Sequence, residues 1–273
     1  MEEKKISINN LELNYKIAGE DQRILNSKGI KVLPSETRQV LILHGWGGSS
    51  DSWAKVTDIL ANNGFKVVCP DFPGFGKSKT PFSPWDLNDY TAWVDEFIKF
   101  LNLEKFILIG HSFGGRVAIK FSVKYPEKIS KLILVAAGGA ESIETSNELE
   151  KKVLKNFSSF MKKFSFLPGY DFLRKIFYRF IIKKTDYLKV EGILKEIFKK
   201  VIKENLIPYL TEIKPKTLIV WGKKDDIFPL REGILMKEMI PDSKIEILEN
   251  IKHNPHAEAP EKLTEILIDF LRS

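Results

Sequence analysis

Short, largely apolar runs recur along this chain at residues 39–43, 65–69, 106–109, 130–136 and 217–221, and a further strand pattern lies at 244–248. Runs of this length without alternation predict strands buried on both faces, the pattern of a parallel sheet. Between them the period changes to that of a helix. Residues 52–63 are helical in pattern and Gly64 is placed to end that helix. Residues 86–102 set Tyr90, Trp93, Val94, Phe97 and Leu101 on one face. Helical patterning returns at 116–121, at about 229–239 and at 260–271. At the N-terminus, residues 5–9 and 11–18 predict a hairpin turning at Asn9-Asn10, and the polar stretch 20–37, with Gly29 and Pro34, predicts a loop insertion. Strands alternating with helices predict an α/β fold with a mostly parallel, doubly wound sheet. The alternation stops after the sixth strand. Residues 140–212 carry no convincing buried strand and are rich in Phe, Leu, Ile and Lys, so they read as a helical cap inserted into a core made of 1–139 and 213–273.

Composition and charge refine this picture. A chain of 273 residues with 43% hydrophobic content suffices for one large α/β domain. No apolar run reaches 18 residues, so no membrane span is expected. Met1-Glu2-Glu3-Lys4-Lys5 leads into no apolar signal core. The single cysteine, Cys69, lies in a strand pattern and excludes a disulfide framework. Both features point to a reducing cytoplasm. The net charge of +7 is regional: residues 151–203 hold fifteen Lys and Arg against four Asp and Glu, which leaves the rest of the chain acidic. These bases are interleaved with aliphatics at helical spacing and no nucleic-acid motif accompanies them, so no nucleic-acid partner is expected.

The chemistry concentrates where the fifth strand ends in Gly110-His111-Ser112-Phe113-Gly114-Gly115. A buried strand, a glycine-rich turn and a helix put Ser112 at the apex of a sharp bend, the G-x-S-x-G nucleophile elbow. A serine hydroxyl needs a base to take its proton and an acid to orient that base, in the chain order serine, acid, histidine. Two histidines, His253 and His256, follow the last strand; Asp225 and Asp226 both follow the strand before it. The residues alone leave each of these pairs open. The oxyanion formed by attack needs two N–H donors. The Phe113 N–H, at the start of the helix, is one. The Trp46 N–H, in the turn His44-Gly45-Trp46-Gly47-Gly48 after the third strand, is the natural second. His44 precedes the serine in a strand-exit turn and reads as structural, as does Asp71. No His/Cys/Asp/Glu cluster has metal-ligand spacing and no phosphate- or dinucleotide-binding loop occurs, so neither a metal nor a cofactor is expected.

Together with Asp71-Phe72-Pro73-Gly74-Phe75-Gly76, Trp221-Gly222-Lys223-Lys224-Asp225 and the stretch from His253 to Glu261, these motifs resemble the α/β-hydrolase fold family in order and spacing over essentially the whole chain. The resemblance implies that Asp225 is the acid, His253 the base and the segment 140–212 the family's cap. One departure is Lys252, where members usually have glycine before the histidine. Serine at the elbow sets the chain apart from relatives that use aspartate there, the epoxide hydrolases and haloalkane dehalogenases. It implies acyl transfer to water through an acyl-enzyme, with a carboxylic ester or thioester of an apolar small molecule as the leading substrate class. The cap phenylalanines Phe157, Phe160, Phe164, Phe166, Phe172, Phe177, Phe180 and Phe198 suit such a substrate. The resemblance also admits serine-type hydrolysis of C–C bonds in diketones and, outside catalysis, a ligand receptor on a hydrolase fold. A basic cap would further suit acyl chains held on an acidic carrier protein. Turnover of carrier-bound substrate should then fall steeply with added salt, and salt-independent turnover would remove that partner.

Overall fold

The computed structural model describes residues 1–19, 38–140 and 192–273. The loop expected at 20–37, the cap over residues 141–191 and seven of the eight named cap phenylalanines, all but Phe198, lie outside the described residues. Numbered over the described residues, the strands are β1 (Glu2–Ile8), β2 (Leu11–Ala18), β3 (Gln39–Leu43), β4 (Lys66–Pro70), β5 (Phe106–His111), β6 (Ile129–Val135), β7 (Thr217–Gly222) and β8 (Ser243–Leu248). The helices are α1 (Ala54–Asn62), α2 (Leu87–Phe100), α3 (Phe113–Lys124), α4 (Ile193–Lys203), α5 (Ile207–Leu210), α6 (Leu230–Met239), α7 (Pro255–Glu258) and α8 (Pro260–Arg272). One sheet holds all eight strands in the order β1-β2-β4-β3-β5-β6-β7-β8. The pairs β1–β2 and β2–β4 are antiparallel and the other five are parallel.

The largely apolar runs are explained by the two faces they serve. Leu41, Leu43, Leu108, Leu132, Leu134 and Ile219 face one apolar cluster with α2 and α3. Their neighbours Val40, Ile42, Ile107, Ile109, Ile133 and Val220 face a second cluster with α1 and α8. Both alternating sets are therefore buried, each side chain contributing roughly 1.5–3 kcal/mol of apolar transfer. The hairpin turns as expected at Asn9 and Asn10, whose φ angles of 51° and 63° suit a two-residue turn between Ile8 and Leu11. Its first strand starts three residues earlier than the pattern indicates. The helix expected from residue 52 opens instead with a 3₁₀ turn over Ser50–Trp53 and becomes α-helical at Ala54. Asp86 caps α2 by accepting from the N–H groups of Asn88 and Asp89, and Asp89 reciprocates to the Asp86 N–H.

The chain lays β4 on one side of β3 and then crosses to place β5 on the other. This reversal opens a crevice beyond the carboxyl ends of β3 and β5, where doubly wound sheets bind ligands. The turn after β3, the elbow after β5 and the loop after β7 share that edge. The described end of the expected cap, 192–212, is packed onto it. Ile197, Val201, Leu206 and Leu210 are buried in the cluster that holds α3, and the Leu206 N–H donates to the Gly139 carbonyl at 3.2 Å. Lys120 pairs with Glu204 at 2.6 Å, and Arg116 donates to the Glu204 carbonyl, tying α3 to the α4–α5 junction. Among the described residues no helix is long and apolar enough to cross a membrane.

Asp71 has the structural place expected of it. One carboxyl oxygen accepts from the Ser50 N–H at 2.6 Å, and the other from Asn14 Nδ2 at 3.0 Å and the Lys77 N–H at 2.9 Å. It thus joins β2, the turn before α1 and the loop after β4. Burial pushes its carboxyl up, but the bonds from Lys77, Ser50 and Asn14 outweigh burial and hold it below the ordinary carboxylate range. Replacing Asp71 with alanine strands three donors and should cost about 2–4 kcal/mol of stability in urea unfolding at neutral pH. A carboxyl lowered by folding contributes fully above its unfolded value and loses that contribution as pH falls through its folded value. The gap between wild type and Asp71→Ala should therefore narrow in acid; a pH-independent gap would show that the charge is irrelevant.

Candidate active site

The elbow is built by close packing. A Cβ on Gly110 would meet the Gly114 carbonyl oxygen at 2.6 Å and the Ala118 Cβ at 2.7 Å, one on Gly114 would overlap the carbonyls of Leu43 and His44, and one on Gly115 would overlap Ala137. Glycine at these positions brings α3 down onto β3, β5 and β6. Between them Ser112 stands at φ 50°, ψ −112°, a conformation that costs a non-glycine residue about 1–3 kcal/mol. Backbone bonds hold it there: its N–H donates to the Val135 carbonyl at 3.2 Å, and its own carbonyl accepts from Arg116 and Gly138, each at 3.2 Å. The strain lifts the side chain clear of the sheet edge while leaving the residue 9% exposed.

His253, on the loop after β8, brings Nε2 to 3.0 Å from Ser112 Oγ and Nδ1 to 2.8 Å from Asp225 Oδ2. The two partners lie 141 and 28 residues from it in sequence. Asp225 is aimed by its own loop: Oδ1 accepts from the N–H groups of Ile227 at 2.8 Å and Phe228 at 3.0 Å, which leaves Oδ2 for the imidazole. The other member of each open pair is elsewhere. Asp226 is exposed, and the His256 ring stacks on Trp53 with centroids 4.5 Å apart. With Nδ1–H donated to the carboxylate, Nε2 is free to receive the serine proton.

Phe113 is the first residue of α3, so its N–H is among those with no partner inside the helix. Trp46 lies in the turn after β3, which pairs directly with β5. The two are joined through their rings: Trp46 meets Phe113 edge-on at 5.4 Å, Phe75 at 4.7 Å and Phe198 of α4 at 4.9 Å. The Phe228 ring meets the His253 ring edge-on at 5.2 Å.

The remaining histidines are buried supports. His44 Nε2 accepts from the Phe72 N–H at 3.0 Å, and Nδ1 donates to the Gly45 carbonyl at 2.7 Å. Burial lowers its pKa to about 4 against the ordinary 6.5, more than its contact with the Gly45 carbonyl raises it. Burial likewise lowers His256 to about 4, helped by His253. His111 is pushed well below the ordinary range by burial and then by His256 and His253. Its Nε2 donates to the carbonyl of His253 at 2.9 Å, a tie that the sequence did not signal, because nothing in a spacing pattern reports a side chain bound to a distant main chain.

Comparison with known proteins places the fold. The sequence profile of the alpha/beta hydrolase fold matches residues 39–173. The human monoacylglycerol lipase ABHD6 is 27% identical over 264 residues, which cover 88% of this chain and 77% of that protein. The 2-hydroxy-6-oxononadienedioate/2-hydroxy-6-oxononatrienedioate hydrolase of Escherichia coli is 28% identical over 255 residues, covering 85% and 86%. Among solved structures, the esterase EaEST from Exiguobacterium antarcticum superposes with a TM-score of 0.70 at 23% identity, over 98% of each chain.

The buried imidazoles give the site a stability signature. Folded His44 and His256 stay neutral down to about pH 4, whereas unfolded histidines bind protons below about 6.5. Stability is therefore complete above pH 6.5 and is lost as pH falls toward 4, by at most about 3 kcal/mol for each group. His256→Phe, which preserves a stack on Trp53, should flatten the fall in Tm between pH 7 and pH 4.5. A fall as steep as in wild type would contradict the assignment of His256 as a neutral buried ring.

Proposed function

This chain belongs to the α/β-hydrolase superfamily, and from that membership we propose that it is a serine hydrolase that cleaves a carboxylic ester or thioester of an apolar small molecule. The observation that carries the reading is the unbroken line of hydrogen bonds from Ser112 Oγ through His253 to Asp225, at 3.0 and 2.8 Å. In this mechanism Ser112 Oγ attacks the acyl carbonyl as His253 Nε2 takes its proton. Asp225 holds the imidazole in the tautomer that can do so and stabilises the imidazolium that forms. The oxyanion of the tetrahedral intermediate accepts from the N–H groups of Trp46 and Phe113. Collapse breaks the bond to the alcohol or thiol, which leaves with the proton from His253. Water, deprotonated by the same imidazole, then attacks the acyl-serine and releases the acid.

The substrate class follows from what surrounds Ser112. The rings of Trp46, Phe75, Phe113 and Phe198 form one contiguous aromatic group that begins at the residue after the serine, and Phe228 flanks the base. Such a lining favours an uncharged acyl or alcohol group over a dicarboxylate. A relative named as a monoacylglycerol lipase fits that preference. The relative named as a dienedioate hydrolase supports a second reading, serine-dependent cleavage of a C–C bond beside a ketone.

A series of p-nitrophenyl esters from acetate to decanoate tests both parts. Wild type should turn them over, with kcat/KM rising as the acyl chain lengthens, and Ser112→Ala should lower kcat by about 10³-fold or more. Retention of activity in Ser112→Ala would remove the nucleophile. Rapid cleavage of a 2-hydroxy-6-oxo-dienedioate without ester turnover would favour the C–C reading.

A further inference from the structure

His253 lies on a loop with no regular element of its own, between the end of β8 at Leu248 and the four-residue helix α7 that starts at Pro255. A base on an unsupported loop would wander, yet its imidazole must meet Ser112 and Asp225 together. The main chain on either side of it is held by one carboxylate. Glu258, at the end of α7, accepts from the Lys252 N–H through Oε2 at 3.0 Å and from the Asn254 N–H through Oε1 at 3.1 Å. The carbonyl of His253 itself accepts from His111 Nε2 at 2.9 Å, one residue from the nucleophile. The loop is also seated on β7, where the Lys224 N–H donates to the Ile251 carbonyl at 2.9 Å and Gly222 leaves no room for a Cβ beneath the carbonyls of Ile251 and Lys252.

We infer that Glu258 is a positioning residue for the base: its carboxylate fixes both amides that flank His253 and so sets the reach of the imidazole toward Ser112. The inference rests on the serine hydrolase reading. Chemistry favours a carboxylate in this role. Two main-chain N–H groups converge on it, and a carboxylate offers two acceptor oxygens and no donor. Glutamine keeps the length but turns an NH₂ toward one of the amides, so it would hold one side of the loop and release the other. Alanine releases both. Glu258 is exposed, so neither change opens the core. A purely structural carboxylate would affect stability alone; a positioning one acts on the chemical step, where a misplacement of about 1 Å costs on the order of 10²-fold.

The test compares wild type, Glu258→Gln and Glu258→Ala on the same p-nitrophenyl ester, with Tm measured for each protein. The expected result is a graded loss in kcat, about 5–10-fold for Gln and about 30–100-fold for Ala, with KM within about twofold. Labelling of Ser112 by a fluorophosphonate should slow in the same order. Wild-type kcat in both variants overturns the inference. So does a loss that appears in KM alone, or one that the fall in folded fraction accounts for. The two readings fail separately: an active Ser112→Ala removes the serine hydrolase reading, whereas an inactive Ser112→Ala beside an unimpaired Glu258→Ala removes only the role of Glu258.

Discussion

At the carboxyl edge of the sheet, α3 lies so close to β3, β5 and β6 that only glycine fits at positions 110, 114 and 115. That approach holds Ser112 in a backbone conformation that a serine would not adopt alone, and the two buried apolar faces of the sheet supply the stability that opposes the strain. Because β3 and β5 are neighbours with the chain turning opposite ways on either side, the turn after β3 arrives beside the elbow. The positions of the other candidate groups are measured from this fixed point. His253 reaches it from the last loop and Asp225 from the loop before, each held by main-chain bonds rather than by packing alone.

The polar groups around Ser112 are arranged so that few of them compete for its proton. His44, His111 and His256 are buried, and burial holds all three neutral. His44 and His111 spend ring nitrogens on main-chain partners, and His256 lies flat against Trp53. Of the four histidines, His253 alone is hydrogen-bonded to both a carboxylate and the serine. The His111 ring lies 5.1 Å from that of His253 and 4.5 Å from that of His256, and neighbouring imidazoles are thus given different tasks by their partners.

Much of this was legible in the sequence, for identifiable reasons. Both faces of β3, β5, β6 and β7 are buried, so these strands appear as largely apolar runs, and the elbow glycines are forced by sterics, so Ser112 stands out. The choice between Asp225 and Asp226, and between His253 and His256, is not written in the local residues. It depends on which loop amides point inward, and only the family resemblance separated the pairs before the structure did. Ser50–Trp53 and α7 are too short to leave a periodic signal. The Glu258 clamp spans a loop, with main-chain partners four and six residues away, and no hydrophobic pattern encodes such a contact. The part of the expected cap over residues 141–191 lies outside the described residues.

The central claim is that Ser112 is a nucleophile activated by His253. Intact-mass and peptide mass spectrometry after treatment with a fluorophosphonate addresses it without knowledge of the substrate. The expected result is a single adduct on the peptide that contains Ser112, formed quickly by wild type and at least about a hundredfold more slowly by His253→Ala. No adduct, an adduct on another residue, or equal labelling rates in the two proteins would contradict it.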